Sequence, residues 1–226
     1  MNAAASPEAL LRLMTWLSPA FPTGGFAYSH GIEWAVEEGD ITDEASLRTW
    51  LADVLMFGAG RNDAILLRLA WAANDEGARA EVAELAAAAA SCQERQLETL
   101  AQGTAFCLAA AAWPCAALNV LQGRAGYGVA YPVAVGVLTR AYAIAQDSAC
   151  HAYLAAVTAN FVSAGVRLVP LGQTAGVRLL AALESTILAV AEATRGCTRD
   201  DLGGGCLRAD IAAMRHETQY TRLFRS

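Results

Sequence analysis

Residues 42–58 read TDEASLRTWLADVLMFG, and their spacing decides the fold class. Leu47, Trp50, Leu51, Val54 and Leu55 fall at i, i+3, i+4, i+7 and i+8, an apolar stripe along one side of an α-helix. Thr42-Asp43-Glu44 marks the start of that helix, and Gly58 and Gly60 mark its end. The helical period recurs on both sides. Ser6-Pro7-Glu8 opens a helix that carries Leu10, Leu13, Met14 and Leu17. Phe26–Glu38 reads as a second helix stopping at Gly39, with His30, Glu33 and Glu37 on one face. Arg61–Asn74 follows the quoted stretch. Ala78–Ala112 reads as helix almost throughout, with a break near Ser91.

Further on, Pro114 interrupts the pattern, and Gly123, Gly126 and Gly128 mark a loop. No strand precedes them and GxGxxG is absent, so they make no phosphate cradle. Helices are expected from Tyr131 to about Ala145, from Asp147 or Ser148 to Arg167, from Thr174 to Arg195 and over Leu207–Met214. Gly196 and Gly203-Gly204-Gly205 read as a flexible link. The chain contains 51 alanines and no clear alternating strand pattern. The expected fold is an all-α, single-domain bundle of about 8–10 helices over 1–209, with a tail at 210–226.

Between the first two helices lies SPAFPTGGFAYSHGIEW (18–34). Pro19 and Pro22 favour extended backbone at Ser18 and Phe21, and Gly24-Gly25 allows positive φ or close backbone approach. Phe21, Phe26, Tyr28 and Trp34 either plug the core of a tight turn or form a binding surface. The tail from Arg208 onward holds four arginines against Asp210 and Glu217, a side-chain balance of +2 (4 − 2) on a chain of net charge −6. With Tyr220, Leu223 and Phe224, it has the composition that protein interfaces enrich. Folding back onto its own domain is the competing reading.

Charge excludes several functions. All 16 basic residues are arginine. An acidic, lysine-free chain suits neither general nucleic-acid binding nor Schiff-base or P-loop chemistry. Six cysteines without a CxxC pair, and an N-terminus without a secretory pattern, suggest a reducing, cytoplasmic setting. The charge-free run Thr99–Gly123 is long enough to span a bilayer, but its Ala-rich composition with Gln102, Pro114, Asn119 and Gln122 favours a core helix.

Catalytic and metal-binding patterns are sparse. His30 and Glu33 have the i, i+3 spacing of helical metal ligands, but one pair supplies two ligands only. Cys150 and His151 are adjacent, so they diverge on a helix. Glu184 shares a face with Leu180, Ile187, Leu188 and Ala191, as an acid of raised pKa or as a carboxylate paired with Arg167 or Arg178. An enzyme with a pocket around Glu184 and the Gly123–Gly128 loop is one alternative. A nickel-binding or transporting protein is another.

Three stretches carry a family resemblance: SPAFPTGGFAYSHGIEWAVEEG (18–39), VRLVPLGQTAGVRLL (166–180) and DIAAMRHETQYTRLFRS (210–226). In order and separation they resemble the signatures of the urease accessory protein UreF family. The resemblance implies an all-helical, non-enzymatic scaffold that dimerises and binds the accessory protein UreD (also called UreH). With UreD it recruits the GTPase UreG, and the assembly delivers nickel to apo-urease. It implies no resident cofactor or metal. The expected partner-binding residues are Phe26, Tyr28, His30, Glu33, Arg215, His216, Tyr220, Arg222, Phe224 and Arg225. Glu33, Glu37 and Glu94 are expected to offer polar contacts to UreG or to nickel in transit.

Overall fold

A computed structural model describes residues 6–124, 126 and 128–226. The N-terminal reading of residues 1–5 and two positions of the glycine loop, 125 and 127, lie outside the described residues. The described residues form eleven α-helices joined by short turns, with no strand. They are α1 (Pro7–Trp16), α2 (Ile32–Glu37), α3 (Glu44–Phe57), α4 (Ala59–Ala72), α5 (Glu76–Ala88), α6 (Gln93–Ala109), α7 (Ala116–Arg124), α8 (Tyr131–Ala141), α9 (Gln146–Leu168), α10 (Gln173–Ala193) and α11 (Leu207–His216).

The stripe that decided the fold class is the buried face of α3: Leu47, Trp50, Leu51, Val54 and Leu55 are all in the core. Asp43 caps this helix, its carboxylate accepting from the Ser46 amide at 2.8 Å. Ser6 caps α1 in the same manner through the Ala9 amide. Every position of α8 from Tyr131 to Thr139 is buried, and α8 packs most extensively on α4. Gly136 permits that approach, because a Cβ there would meet the Leu67 carbonyl oxygen at 2.5 Å. The long pair α9 and α10 closes the other side.

Several expectations change. The break near Ser91 is present between α5 and α6. The stretch after Pro114 is more than a loop, because α7 occupies Ala116–Arg124. The second helix does not begin at Phe26. Gly25–Ala27 is a single 3-10 turn, His30 and Gly31 both have positive φ (59° and 77°), and α2 starts only at Ile32. Residues with positive φ cannot continue a right-handed helix. The glycine run at 203–205 is pinned rather than free. The Gly205 amide donates to the Phe57 carbonyl at 3.0 Å, the Gly203 amide donates to Asn62 Oδ1 at 3.0 Å, and Arg61 donates to the Asp201 and Gly203 carbonyls.

The charge-free run Thr99–Gly123 is divided among α6, a 3-10 turn and α7, so it is not one spanning helix. Two other helices, α9 and α10, are long and apolar enough to cross a membrane. The apolar stretch of α9 is 61% buried inside the bundle, which accounts for its hydropathy, and that of α10 is 39% buried. Glu184 of α10 is exposed, and Leu188 beside it is 58% exposed. Its face is therefore not a buried apolar wall. Arg178 pairs with Glu44 instead, at 2.5 Å, and Arg167 donates to the Phe26 carbonyl at 2.8 Å.

Candidate partner-docking site

The turn before α2, the inner face of α6 and the tail beyond α11 meet in one place. Glu94, Glu98 and Gln102 follow at i, i+4 and i+8 on α6 and face inward, on the same side as Phe106. Gly31 lets α11 come close, because a Cβ there would meet the Ala213 amide nitrogen at 2.7 Å. This close approach sets His216, in the last turn of α11, against α2 and α6.

His216 is fully buried between two carboxylates. Its Nδ1 lies 2.8 Å from Glu94 Oε2, and its Nε2 lies 3.0 Å from Glu33 Oε2. Glu33 also accepts the main-chain amides of Leu223 at 2.7 Å and Phe224 at 3.0 Å. Glu94 accepts from Arg222 Nη1 at 2.9 Å. Burying two carboxylates without partners would be costly, and each is compensated here by donors from α11 or the tail.

The tail continues along this surface. The Arg225 amide donates to the Ala27 carbonyl at 2.8 Å. The main-chain oxygen of Ser226 accepts from the Ser29 amide at 2.5 Å, the Ser29 hydroxyl at 2.6 Å and the His30 amide at 3.1 Å. Ser226 Oγ donates to Glu98 Oε2 at 2.8 Å. Phe224 is buried, with the Arg167 guanidinium stacked 4.4 Å from its ring centre. Gln219 bonds Glu37.

Beneath the tail lies a second polar group. Arg95 pairs with Glu98, and His30 Nδ1 stands 3.8 Å from the same carboxylate. Burial alone would raise Glu98, but the Arg95 charge and His30 hold it at about 2. Burial lowers His30, and the nearby Arg95 charge adds to that. Burial pushes Asp63 up to about 6, although its carboxylate accepts the Tyr153 hydroxyl at 2.8 Å. A cavity of about 160 Å³ opens beside this group, lined in part by His30, Asn62, Asp63, Arg95, Thr99 and Asp210. Glu184 is not among its walls.

These positions sort the sequence-selected residues by depth. His30, Glu33, His216 and Phe224 are buried. Tyr28 is half-buried, and Phe26, Arg215, Tyr220, Arg222 and Arg225 are exposed. His30 and Glu33 do not form a pair on one helix face, because His30 precedes α2 and turns toward Glu98. Glu33 and Glu94 are not open surface contacts, since the tail and His216 occupy their oxygens; Glu37 alone of that trio is exposed. The sequence reading missed His216 as the partner of Glu33, and it passed over the inward polar series of α6. The outermost apolar side chains here are Phe26, 72% exposed, Leu223, 81% exposed, and the fully exposed Tyr220. Leu207, Ile211 and Met214 form an exposed stripe on α11. Among the described residues no group of three or more His, Cys, Asp or Glu is placed to hold a metal ion. Cys150 is buried and His151 half-buried beside it.

Comparison with known proteins gives a consistent result. The family model described as UreF matches residues 41–184. A urease accessory protein UreF of Rhodopseudomonas palustris (strain TIE-1) is 53% identical over 222 residues, covering 96% of this chain and 92% of the relative. One from Bradyrhizobium sp. (strain BTAi1) is 55% identical over 224 residues, at 96% and 92% coverage. One from Bradyrhizobium diazoefficiens is 50% identical over 228 residues, at 99% and 94% coverage.

Proposed function

The chain belongs to the UreF family of urease accessory proteins, and from that premise we propose that it is a non-catalytic, cytoplasmic scaffold that docks a UreD-type partner through its tail-proximal surface. In this reading Phe26, Tyr220 and Leu223 supply the apolar anchors, and Arg215, Arg222 and Arg225 supply charge around them. The chain acts as a homodimer, seats UreG and holds apo-urease in the same assembly while nickel, the cargo, is transferred. The chain itself keeps no metal. The observation that carries this reading is the tail: it is fixed by buried hydrogen bonds yet leaves Tyr220 and Leu223 outside. An unpartnered chain gains nothing by ordering such side chains in solvent, and aromatic anchors beside arginines are what interfaces use.

Two experiments test it. Urease activation is measured with and without this chain in an otherwise complete maturation mixture; equal activation without it overturns the scaffold role. Co-purification with UreD is then measured for the chain lacking 215–226 and for the Tyr220→Ala/Leu223→Ala chain. Both are expected to lose the partner while the helical circular dichroism signal of the double variant is unchanged. Undiminished co-purification removes the tail from the interface.

A further inference from the structure

We infer that the chamber between α4, α6 and the Gly203–Gly205 strap is a binding site for a small organic cation that carries N–H donors, an alkylammonium or a guanidinium. The site uses no residue of the tail, and it stands whether or not the tail docks a partner.

The walls of the chamber hold acceptors without donors to match them. Its volume of about 160 Å³ is room for about five waters or one molecule of a few non-hydrogen atoms. Asp63 enters from α4 and Asp210 from α11. Asp63 accepts from the Tyr153 hydroxyl at 2.8 Å, which leaves most of its acceptor capacity open. His30 lines the same space, is 5% exposed, and its Nδ1 has no hydrogen-bond partner. Burial and the Arg95 charge hold His30 below its usual range, so the ring is neutral at pH 7 and one nitrogen is a bare acceptor in either tautomer. The Arg95 guanidinium on the same wall is already paired with Glu98. Asp63, Glu98 and Asp210 thus set three carboxylates against that guanidinium. Unbalanced negative charge in a largely buried space is costly until a cation answers it.

The same walls turn other occupants away. An anion meets the carboxylates. A bare metal ion lacks ligands, because among the described residues no three His, Cys, Asp or Glu side chains are placed to hold one. An apolar molecule leaves the acceptors without donors. A cation that brings its own N–H groups satisfies charge and hydrogen bonding together. The strap keeps the space open, because its glycines send no side chain into it. Asn62, next to Asp63, holds the strap in place by accepting the Gly203 amide at 3.0 Å.

The test is an NMR titration of the full chain with methylammonium chloride at constant ionic strength, following the amides of His30, Asp63 and Arg95. Potassium chloride has the same charge and no N–H, and methanol is the neutral analogue of the same shape. Saturable binding of methylammonium is expected with a dissociation constant on the order of 10 mM, since a ligand of about two non-hydrogen atoms has little more to give. Neither control is expected to bind at these residues. Asp63 faces Tyr153 from α9, Tyr131 from α8, Arg95 and Glu98 from α6, His30 from the turn before α2, and Asp210 and Cys206 from α11. With Asp63 raised to about 6, it holds its proton at lower pH and the site loses a charge, so methylammonium is expected to bind about tenfold more weakly at pH 5 than at pH 7. Glu98, held at about 2, stays ionised over that range. Asp63→Asn is expected to weaken binding at least about tenfold and to remove its pH dependence. Should that variant not fold, Asp210→Asn replaces it and is expected to weaken binding with the pH dependence retained. No saturable shift, an equal shift from potassium or methanol, or wild-type affinity in the folded variant overturns the inference.

Discussion

Arg68 and His216 are both buried between helices far apart in sequence, yet they close different gaps. Arg68 of α4 donates to the Ala191 carbonyl at 2.8 Å, to Thr194 Oγ1 at 3.3 Å and to Gln146 Oε1 at 2.9 Å, and pairs with Asp147 at 2.9 Å. It satisfies the C-terminal end of α10 and meets a carboxylate in the first turn of α9, where helix ends need such partners. Everything it touches is helix or helix cap. His216 closes a gap between two helices and an irregular tail, and the tail carries exposed anchors. A buried polar network is therefore no mark of function by itself. The distinction lies in what the network leaves at the surface.

The sharpest way to break this contrast is Arg68→Ala. It removes a donor from Gln146 Oε1 and from the Ala191 carbonyl, and halves the pairing of Asp147, which keeps Arg195. Because Asp147 is partly exposed and keeps a cation, the loss is that of hydrogen bonds to a buried charged group, about 1.5–3 kcal/mol. Urea unfolding should show that loss, while the folded fraction binds UreD as the wild type does. Weakened binding by fully folded Arg68→Ala would mean the two networks are coupled, and the contrast would fail.

Asp63 supplies the next effect. Its folded pKa of about 6 lies above its usual 3.8, so the folded chain holds its proton longer than the unfolded chain. Its cost is absent below about pH 4 and grows as pH rises through 6. Glu98 acts in the opposite direction: held at about 2 against its usual 4.5, its contribution is present above 4.5 and fades as pH falls toward 2. Replacing Asp63 with Asn keeps an oxygen for the Tyr153 hydroxyl and removes the charge. Asp63→Asn should therefore gain stability relative to the wild type as pH rises from about 4 to about 6, by roughly 3 kcal/mol at most, and hold that gain at higher pH. A constant difference across that range would show that Asp63 titrates normally.

The two networks also differ in how far the sequence revealed them. The stripe of α3 was legible because helix periodicity is local, and Leu47 to Leu55 need no distant residue to explain them. The turn at 24–31 was legible only as a break. That His30 adopts positive φ follows from its amide bonding to Ser226 and its ring packing 4.5 Å from Phe161, and both partners are far along the chain. Glu33 was set beside His30 by local spacing, whereas its true partner is His216. One local sign was available. Glu94, Glu98 and Gln102 repeat on the face that carries Phe106, and a polar series facing a core calls for donors from elsewhere. The family model covers 41–184, so Glu33 and His216 both lie outside it.

A third substitution set reads the surface side of the contrast. Phe26→Ala, Tyr220→Ala and Leu223→Ala each remove an exposed apolar side chain that makes no buried hydrogen bond. Each should leave the unfolding free energy within about 0.5 kcal/mol of wild type. Binding to UreD should weaken by up to about 2 kcal/mol, roughly 30-fold, for whichever of them sits at the centre of the interface. Three flat results in a calorimetric titration would place the interface away from the tail.

The smallest expected effect belongs to Glu184. The sequence offered it as a possible buried acid on an apolar face, the one feature on which a helical enzyme could be built. In the fold it points to solvent from α10, Leu188 beside it is exposed too, and the arginines proposed as its partners are engaged by Glu44 and by the Phe26 carbonyl. Glu184→Ala should change stability by less than about 0.5 kcal/mol, since it touches neither network. It should also leave urease activation unchanged. A large loss of activation with stability intact would identify the exposed face of α10, with Val177 and Leu188, as a second contact surface. The tail would then be only one of two places where this bundle meets its assembly.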